Sequence, residues 1–263
     1  IRNCDWSSDV CSSDLLQLFK ALEQGGPLPD KPIMLTFDDG YRGIATIAAP
    51  IMSQAGFVGT AYVITDRIAV NPKRAPTWLT WRQLRILEQR GWDIGSHTVS
   101  HTEIPHMSET AALQTLRASR FALERRLGHP VQWFCYPAGA VDAKSVDWVR
   151  KAGYVLATTT QEGDVHSAAD PLRLSRVRVS NTTGVRGLAA ALAKRFQGTS
   201  ADPKERITAA YFTALSRPPT AAEVARAETY LKTQATQRGQ TPESAMTTFC
   251  QALFASAEFR YLK

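Results

Sequence analysis

Ile33-Met34-Leu35-Thr36-Phe37-Asp38-Asp39-Gly40 is the stretch that decides the fold. Its first five residues are mostly apolar, which predicts a buried strand, and the run then ends in two carboxylates and a glycine. A strand followed by an ordinary Asp-Gly turn is the simplest interpretation of these eight residues alone. The alternative is a strand that delivers charged side chains to the rim of a sheet or barrel, where active sites are found.

Two further clusters of polar and small residues follow predicted strands later in the chain. They are Ser96-His97-Thr98-Val99-Ser100-His101 and Phe134-Cys135-Tyr136-Pro137-Ala138-Gly139. Because the carboxyl ends of parallel strands lie on one side of a barrel, three such clusters can meet at one rim. Their presence favours a functional interpretation of Asp38 and Asp39 over a simple turn.

Strands and helices alternate along most of the chain. This alternation predicts an α/β architecture with parallel strands, either a doubly wound sheet or a distorted (β/α) barrel, and a barrel explains the shared rim most simply. The predicted strands are Ile33–Phe37, Phe57–Ile64, Trp92–Ser96, Val131–Tyr136, Tyr154–Thr160 and Leu174–Val179. The predicted helices run from about Leu16 to Gly25, Ile44 to Gly56, Trp81 to Arg90, Ser108 to Gly128 and Asp142 to Lys151.

The composition along the chain predicts four segments. Residues 1–15 are expected to be a non-native or disordered N-terminal stretch, and residues 16–197 form the α/β domain. A linker over residues 198–203 leads to a small all-α unit at 204–263 with three predicted helices. About sixty residues is marginal for independent folding, so this unit is expected to dock on the larger domain or on a partner chain.

The overall composition is that of a globular protein. The 263 residues are 44% hydrophobic, and no stretch approaches the roughly 18 consecutive apolar residues of a membrane-spanning helix. The net charge of +7 comes from scattered Lys and Arg, without a basic run interleaved with aromatics, so no nucleic-acid partner is expected. The spacing of the four cysteines matches no zinc ribbon or redox pair.

His97 and His101 form the core of a predicted metal site. They are four residues apart, so on a helical turn both imidazoles would project from one face and could share an ion. Such a pair also occurs as capped or hydrogen-bonded surface histidines, but Asp39 adds a third, anionic ligand. Two histidines and one carboxylate leave a position open for water on a divalent ion, most simply Zn²⁺, which is the pattern of a catalytic site.

Asp38 is the predicted general base. Successive side chains leave a strand in opposite directions, so one aspartate can bind the ion while its neighbour faces the attacking water. The ion lowers the pKa of that water towards about 7, and Asp38 takes its proton as the water attacks a carbonyl. A backbone N–H within Tyr136-Pro137-Ala138-Gly139 is the expected donor to the resulting oxyanion.

The three clusters resemble, in order and spacing, the first three motifs of the polysaccharide deacetylases with a NodB-homology domain, carbohydrate esterase family 4. The resemblance covers about residues 16–193. It implies a distorted (β/α) barrel that removes N- or O-acetyl groups from a polysaccharide, with Asp38 as base and Asp39, His97 and His101 as metal ligands. It also favours an extracellular, periplasmic or cell-envelope location, and it leaves the oligomeric state open.

The chain departs from the family pattern in the residues that assist the base and the leaving group. Cys135 and Ala138 stand where many members have an arginine and an aromatic residue, so the arginine that orients the base is predicted to be absent. The Leu-x-His motif that supplies the general acid is replaced by Leu174-Ser175-Arg176. The general acid is therefore unassigned; His166, in the preceding loop, is a candidate, and an exposed loop histidine is the alternative.

Three functions follow from these residues. The first is a metal-dependent deacetylase of an acetylated polysaccharide, and the second is a catalytically impaired glycan-binding protein on the same fold, which the missing arginine and acid suggest. The third is a metal hydrolase of a non-carbohydrate amide. Tyr41, Trp78 and Trp81 could stack on sugar rings or serve as core or loop anchors.

Overall fold

The structure of the protein is a computed structural model, and it describes residues 11–12, 14–28, 32–54, 56–69, 77–163, 166–179, 202–215 and 218–254. The chain divides into two compact units. One unit runs from Ser12 to Val177, and the other includes the C-terminal segment from Arg178 to Lys263. Each unit has its own hydrophobic core.

The larger unit is built on one parallel sheet. Its six strands lie side by side in the order in which they occur in the chain, so every connection places the next strand beside the last. The strands are β3 (Leu35–Phe37), β4 (Gly59–Val63), β5 (Asp93–Ser96), β6 (Trp133–Cys135), β7 (Leu156–Glu162) and β8 (Leu174–Arg176), while β1 (Cys11–Ser12) and β2 (Pro32–Ile33) form a separate two-stranded sheet. This arrangement confirms the predicted distorted (β/α) barrel.

Helices connect the strands much as predicted. A π-helical turn over Ile44–Ala48 leads into the second helix. Thr80 and Gln83 form a capping box at the start of the third, and Gly128, with φ of 87°, ends the fourth. The helices of the larger unit are α1 (Leu15–Gln24), α2 (Ala49–Gln54), α3 (Trp81–Gln89), α4 (Glu109–Leu127) and α5 (Ala143–Lys151).

The interior of the barrel is filled by side chains that alternate along the strands. Residues two apart share a face of a strand, so Trp133 and Cys135 point inwards while Phe134 packs under the outer helices. The inward cluster combines two residues of α1 with five from the strands: Leu15, Leu18, Tyr62, Trp133, Cys135, Leu156 and Leu174.

Helix α1 lies at the amino-terminal end of the barrel. The backbone N–H of Leu15 donates a 2.8 Å hydrogen bond to the carboxylate of Asp93, the first residue of β5. Leu15 is only 1% exposed, so the helix covers apolar side chains at this end. The opposite, carboxyl end of the strands is left for the predicted site.

The smaller unit contains three described helices, α6 (Pro203–Leu215), α7 (Ala221–Arg238) and α8 (Pro242–Phe254). A capping box of Thr220 and Glu223 begins α7, as predicted from the sequence. Ile207, Ala227, Met246 and Phe249 belong to the common core of the three helices. Most of the predicted linker, residues 198–201, lies outside the described residues, and the domain boundaries stay a proposal.

None of the described helices has the length and apolarity needed to cross a bilayer. That observation concerns the described helices alone.

Asp93 generates a prediction about stability. Burial raises the pKa of its carboxyl to about 6, although the Leu15 N–H partly opposes the shift. A carboxyl with a raised folded-state pKa binds more protons folded than unfolded between about pH 4 and pH 6, so its contribution to stability falls through that window. We therefore expect the difference in free energy of unfolding between Asp93→Asn and wild type to shift by about 1–3 kcal/mol in favour of the variant as the pH rises from 4 to 7.5. Urea denaturation at each pH measures this difference.

Asn keeps an oxygen that can accept from Leu15 but loses one acceptor, since Trp133 also donates to Asp93. That loss is the same at every pH, so the pH-dependent part of the difference reports the charge. Asp147→Asn, at an exposed side chain of α5 paired with Lys151, is the matched control and should show no such widening. Parallel stability curves for wild type and Asp93→Asn would contradict the assignment.

Candidate active site

Four strand ends contribute to one site at the carboxyl end of the barrel. Asp38 and Asp39 follow β3, the loop from His97 to His101 follows β5, and Arg176 is the last residue of β8. The Tyr136–Gly139 segment follows β6. The structure therefore brings together the three sequence clusters and adds one residue that the sequence interpretation did not use.

Asp39, His97 and His101 form a group that could hold a metal ion. Oδ1 of Asp39 lies 3.5 Å from Nε2 of His97 and 3.3 Å from Nε2 of His101. One atom from each side chain falls within a cluster in which all separations are below 4.8 Å. Ligand atoms on one divalent ion at 2.0–2.2 Å have separations of this order, so the group fits a metal.

The orientation of His97 supports the same conclusion. Its Nδ1 lies 2.7 Å from the carbonyl oxygen of Cys135, and because a carbonyl can only accept, Nδ1 carries the proton. In a neutral imidazole Nε2 then has a free lone pair, and Nε2 is the atom that faces Asp39. A backbone acceptor behind the remote ring nitrogen is the usual support of a metal-binding histidine.

The loop from His97 to His101 corrects one step of the sequence analysis. The two histidines do not lie on a helical turn; residues 98–100 form a turn in which Thr98 has φ of 66°, and His101 has φ of 65°. The Oγ1 of Thr98 accepts a 3.0 Å hydrogen bond from the His101 backbone N–H. The imidazoles still meet, with ring centroids 4.8 Å apart, but a left-handed turn brings them together.

The charges of the group are strongly coupled. Burial alone would lower the pKa of His97, but hydrogen bonds to Asp39 and to the Cys135 carbonyl outweigh it and raise the pKa to about 10. The hydrogen bond from His97 is the main cause that lowers the pKa of Asp39. Burial and the neighbouring His97 charge lower the pKa of His101. Asp39 is thus ionised, and a cation that binds here would replace the proton on Nε2 of His97.

Arg176 holds Asp38, and this contradicts the prediction that no arginine orients the base. Its Nη1 lies 2.8 Å from Oδ1 of Asp38 and its Nη2 lies 2.7 Å from Oδ2, a bidentate pair. The guanidinium is fixed further by the Thr159 carbonyl at 2.7 Å and by Oγ1 of Thr36 at 2.9 Å. Burial would raise the pKa of Asp38, but the hydrogen bonds and charge of Arg176 hold it below its ordinary value.

The small side chain of Cys135 leaves room for the Arg176 guanidinium beside Asp38. Its Sγ lies 3.6 Å from Oδ1 of Asp38 and 3.3 Å from Nη2 of Arg176. A side chain as small as cysteine therefore fits beside the ion pair, in the place where many family members carry the arginine itself. Position 176, in turn, is where the family motif has its histidine. In this chain the guanidinium beside Asp38 comes from β8.

The backbone of the site is locally unfavourable. Among the described residues, the non-glycine residues with positive φ are Asp39, Thr98, His101 and Ala138, all within the three clusters. A left-handed conformation costs an L-residue roughly 1–2 kcal/mol, and such residues concentrate at functional sites. This concentration is independent support for the location of the site.

The Tyr136–Gly139 segment leaves one amide available as a donor. The N–H of Tyr136 donates to the Thr158 carbonyl and that of Gly139 donates to the Tyr136 carbonyl, while Pro137 has no N–H. Within the described part of the chain, the amide of Ala138 has no recorded acceptor. Gly139 is required beside it, because φ is 73° and a Cβ would lie 1.9 Å from Oγ1 of Thr160.

His166 lies in a different place from the other predicted residues. It lines a cavity of about 460 Å³ together with Glu162, Asp170 and Arg173, and the lining includes neither Asp38 nor the three predicted ligands. Its role as general acid stays a prediction, without support from this placement.

The candidate metal site leads to a direct prediction. We expect the purified chain to bind about one Zn²⁺ per molecule, and His101→Gln to weaken that binding by at least about 100-fold because one of three protein ligands is lost. Isothermal titration calorimetry on chelator-treated protein measures both values. His106→Gln is the matched control: His106 belongs to the same connection, is 77% exposed and pairs with Glu103. Equal Zn²⁺ affinity of the two variants would contradict the ligand assignment.

Comparison with known proteins gives a consistent result. A family profile described as polysaccharide deacetylase matches residues 25–157, half of the chain. YxkH of Bacillus subtilis is 26% identical over 151 residues, which are 57% of this chain and 52% of YxkH. The poly-beta-1,6-N-acetyl-D-glucosamine N-deacetylase of Staphylococcus epidermidis is 25% identical over 175 residues, 63% of this chain and 61% of that protein.

Among solved structures, the deacetylase PplD of Streptococcus pyogenes, determined in complex with acetate, superposes with a TM-score of 0.62. The two are 25% identical, and the match covers 68% of this chain and 78% of PplD. The chain spans between half and two thirds of the curated relatives that it matches. The profile match over half of its length shows that the chain belongs to the polysaccharide deacetylase family.

Proposed function

We propose that this protein is a metal-dependent hydrolase that removes acetyl groups from a polysaccharide. The observation that carries the proposal is a carboxylate, Asp38, held by Arg176 directly beside the Asp39, His97 and His101 group. Asp38 would thereby be available for proton transfer, while Asp39 would bind the ion. Family membership and the similarity to proteins named deacetylases support the same reaction.

Asp39, His97 and His101 would hold the ion, and Zn²⁺ suits two imidazoles and one carboxylate with an open position. A divalent ion bound there would lower the pKa of a water molecule and polarise the acetyl carbonyl. The Cys135 carbonyl would hold His97 in the tautomer that leaves Nε2 for the ion, because it accepts the hydrogen bond of Nδ1.

Asp38 would accept the proton of the attacking water. Its two oxygens are engaged by Arg176, which prevents rotation of the carboxylate and keeps it ionised at neutral pH. Arg176 is therefore a positioning residue: it acts through Asp38 and not on the substrate. Such fixed orientation of a reacting group can be worth orders of magnitude in rate.

The amide N–H of Ala138 would donate to the oxyanion that forms when water adds to the acetyl carbon. It is the donor that remains in the Tyr136–Gly139 segment, and the left-handed conformation of Ala138 sets its direction. A preformed donor of this kind typically contributes a factor of about 10²–10³ in kcat. Tyr136, Pro137 and Gly139 would form the wall that holds this peptide.

The proton balance can be closed with one carboxylate. Water adds to the acetyl carbon and gives its proton to Asp38, the C–N bond then breaks, and the leaving nitrogen takes the proton back. The second proton of the water stays on the acetyl product, so the products are acetic acid, which ionises to acetate in solution, and a free amine. This route requires no histidine at position 176, where Arg176 stands.

The substrate class follows from chemistry and similarity. The named activity of the Staphylococcus epidermidis relative is N-deacetylation of an N-acetyl-D-glucosamine polymer, so we propose an N-acetylated polysaccharide first and an O-acetylated one second. A glycan-binding protein without activity was suggested by the absence of an arginine beside Asp38 and of a general acid. Because Arg176 pairs with Asp38, the first of these two reasons no longer applies, and this alternative is disfavoured. A hydrolase of a non-carbohydrate amide can be distinguished from a polysaccharide deacetylase by comparing acetate release from acetylated glycans with hydrolysis of non-carbohydrate amides.

The first functional prediction concerns Asp38. Asp38→Asn keeps the shape but removes the proton acceptor, so we expect acetate release from N-acetylated oligosaccharides to fall by at least about 100-fold. Enzymatic measurement of acetate, with and without a chelator, tests it. Asp147→Asn, at the exposed α5 site, is the control. Full activity of Asp38→Asn would refute its role as base.

The second functional prediction concerns Arg176. Arg176→Met is expected to lower kcat about 10–100-fold with a smaller effect on KM, because the base loses its orientation. Arg176→Lys should recover only part of the activity, since an ammonium cannot make the bidentate contact. Added methylguanidine should partly rescue Arg176→Ala, which a purely structural role of Arg176 would not allow.

Arg173→Met is the matched control for that series. Arg173 lies three residues away on the same segment, is 40% exposed and pairs with Asp170. Equal losses in Arg173→Met and Arg176→Met would show that the effect comes from the stability of the segment.

A further inference from the structure

Tyr41, Trp78 and Arg67 form a small surface that the reaction as described does not use, and we name it the aromatic ledge. The rings of Tyr41 and Trp78 stack with centroids 4.6 Å apart and planes 20° apart. Cζ of Arg67 lies 4.8 Å from the centroid of the Trp78 ring. Tyr41 is 46% exposed, so an aromatic ring lies open to solvent and is held by a second ring.

The backbone makes the ledge rigid. Tyr41 and Trp78 form an antiparallel bridge. On either side of it, the Arg42 N–H donates to the Thr77 carbonyl at 2.8 Å, and the Leu79 N–H donates to the Gly40 carbonyl at 2.9 Å. A ring that is already ordered loses little conformational entropy when a ligand packs on it.

The ledge is continuous with the active site. Tyr41 lies two residues after Asp39, and the segment that carries Arg67 is joined to the His97–His101 loop. Thr65 and Asp66 donate backbone hydrogen bonds to the carbonyls of Thr98 and Val99 at 3.2 and 3.1 Å. All of these segments follow the carboxyl ends of parallel strands, the face at which barrels bind their substrates.

Arg67 adds a positive charge beside the Trp78 ring. A guanidinium at this position can donate hydrogen bonds to hydroxyl oxygens of a ligand that lies across the ledge.

Trp81, the third aromatic residue that could stack on a sugar ring, has different surroundings from Tyr41 and Trp78. Trp81, at the start of α3, packs against the hydrophobic core. Cζ of Arg126 lies over its ring, 5.4 Å from the ring centroid. The structure therefore separates the three aromatics: Trp81 is a core anchor, while Tyr41 and Trp78 stack on each other and Tyr41 is open to solvent.

We propose that the aromatic ledge binds a sugar ring of the glycan chain next to the unit that is being deacetylated. One face of a pyranose presents C–H groups that pack on an aromatic ring, and its edge presents hydroxyls that suit a guanidinium. This inference rests on the proposed function, because it takes the occupant to be a continuation of the same substrate.

The test compares Tyr41→Ala with wild type on two acetyl donors. On a pentasaccharide of N-acetyl-D-glucosamine, loss of one stacking ring is expected to raise KM about 5–10-fold, the equivalent of about 1 kcal/mol. On 4-nitrophenyl acetate, which carries no sugar, the rise in KM should be at least fivefold smaller. The loss should fall on KM rather than on kcat.

Two variants serve as controls. Tyr41→Phe keeps the ring and should restore the KM of wild type within about twofold. Phe121→Ala removes an exposed aromatic of α4, 64% exposed, and should leave both activities unchanged. A KM for the pentasaccharide that Tyr41→Ala does not change, or an equal loss on both donors, would overturn the proposal.

A binding measurement separates this inference from the deacetylase activity itself. If no acetate is released, calorimetric binding of the pentasaccharide to wild type that weakens 5–10-fold in Tyr41→Ala would still support the ledge. Absence of pentasaccharide binding by wild type would overturn it. Acetate release with equal pentasaccharide binding by wild type and Tyr41→Ala would overturn the ledge and leave the proposed function intact.

Discussion

The hydrogen bond from Nδ1 of His97 to the carbonyl oxygen of Cys135 is the contact on which the site depends. It joins the loop after β5 to the end of β6 and fixes which nitrogen of the imidazole faces Asp39. The same residue, Cys135, places its side chain beside Asp38 and Arg176. One residue therefore aligns the predicted metal ligands through its backbone and makes room for the ion pair through its side chain.

Much of this arrangement could be predicted from the sequence, because it follows from local patterns. Alternation of apolar strands and amphipathic helices indicated parallel strands, and parallel strands carry Asp39, His97 and Tyr136 to one rim. The conformation of the His97–His101 loop could not be predicted. Spacing by four suggests a helical turn, whereas a left-handed Thr98 gives a similar approach of the side chains by another route.

Arg176 was missed because its partner lies 138 residues away in the chain. A signal was present: Leu174 is an inward-facing residue of β8, so a side chain two residues later points to the same interior at the carboxyl rim. In the sequence alone, Cys135 and Arg176 each look like the loss of a motif residue, because the contact between these two positions is not visible there. The structure shows that Arg176 supplies the guanidinium beside Asp38 that Cys135 cannot supply.

The pairing of Cys135 with Arg176 also has an evolutionary consequence. An arginine at both positions would place two guanidiniums against one carboxylate, and an arginine at neither would leave Asp38 partly buried without its counter-charge. Each route between the two arrangements passes through one of these unfavourable combinations. Positions 135 and 176 should therefore covary among homologues, and relatives should separate into two lineages that are distinguished by which strand carries the arginine.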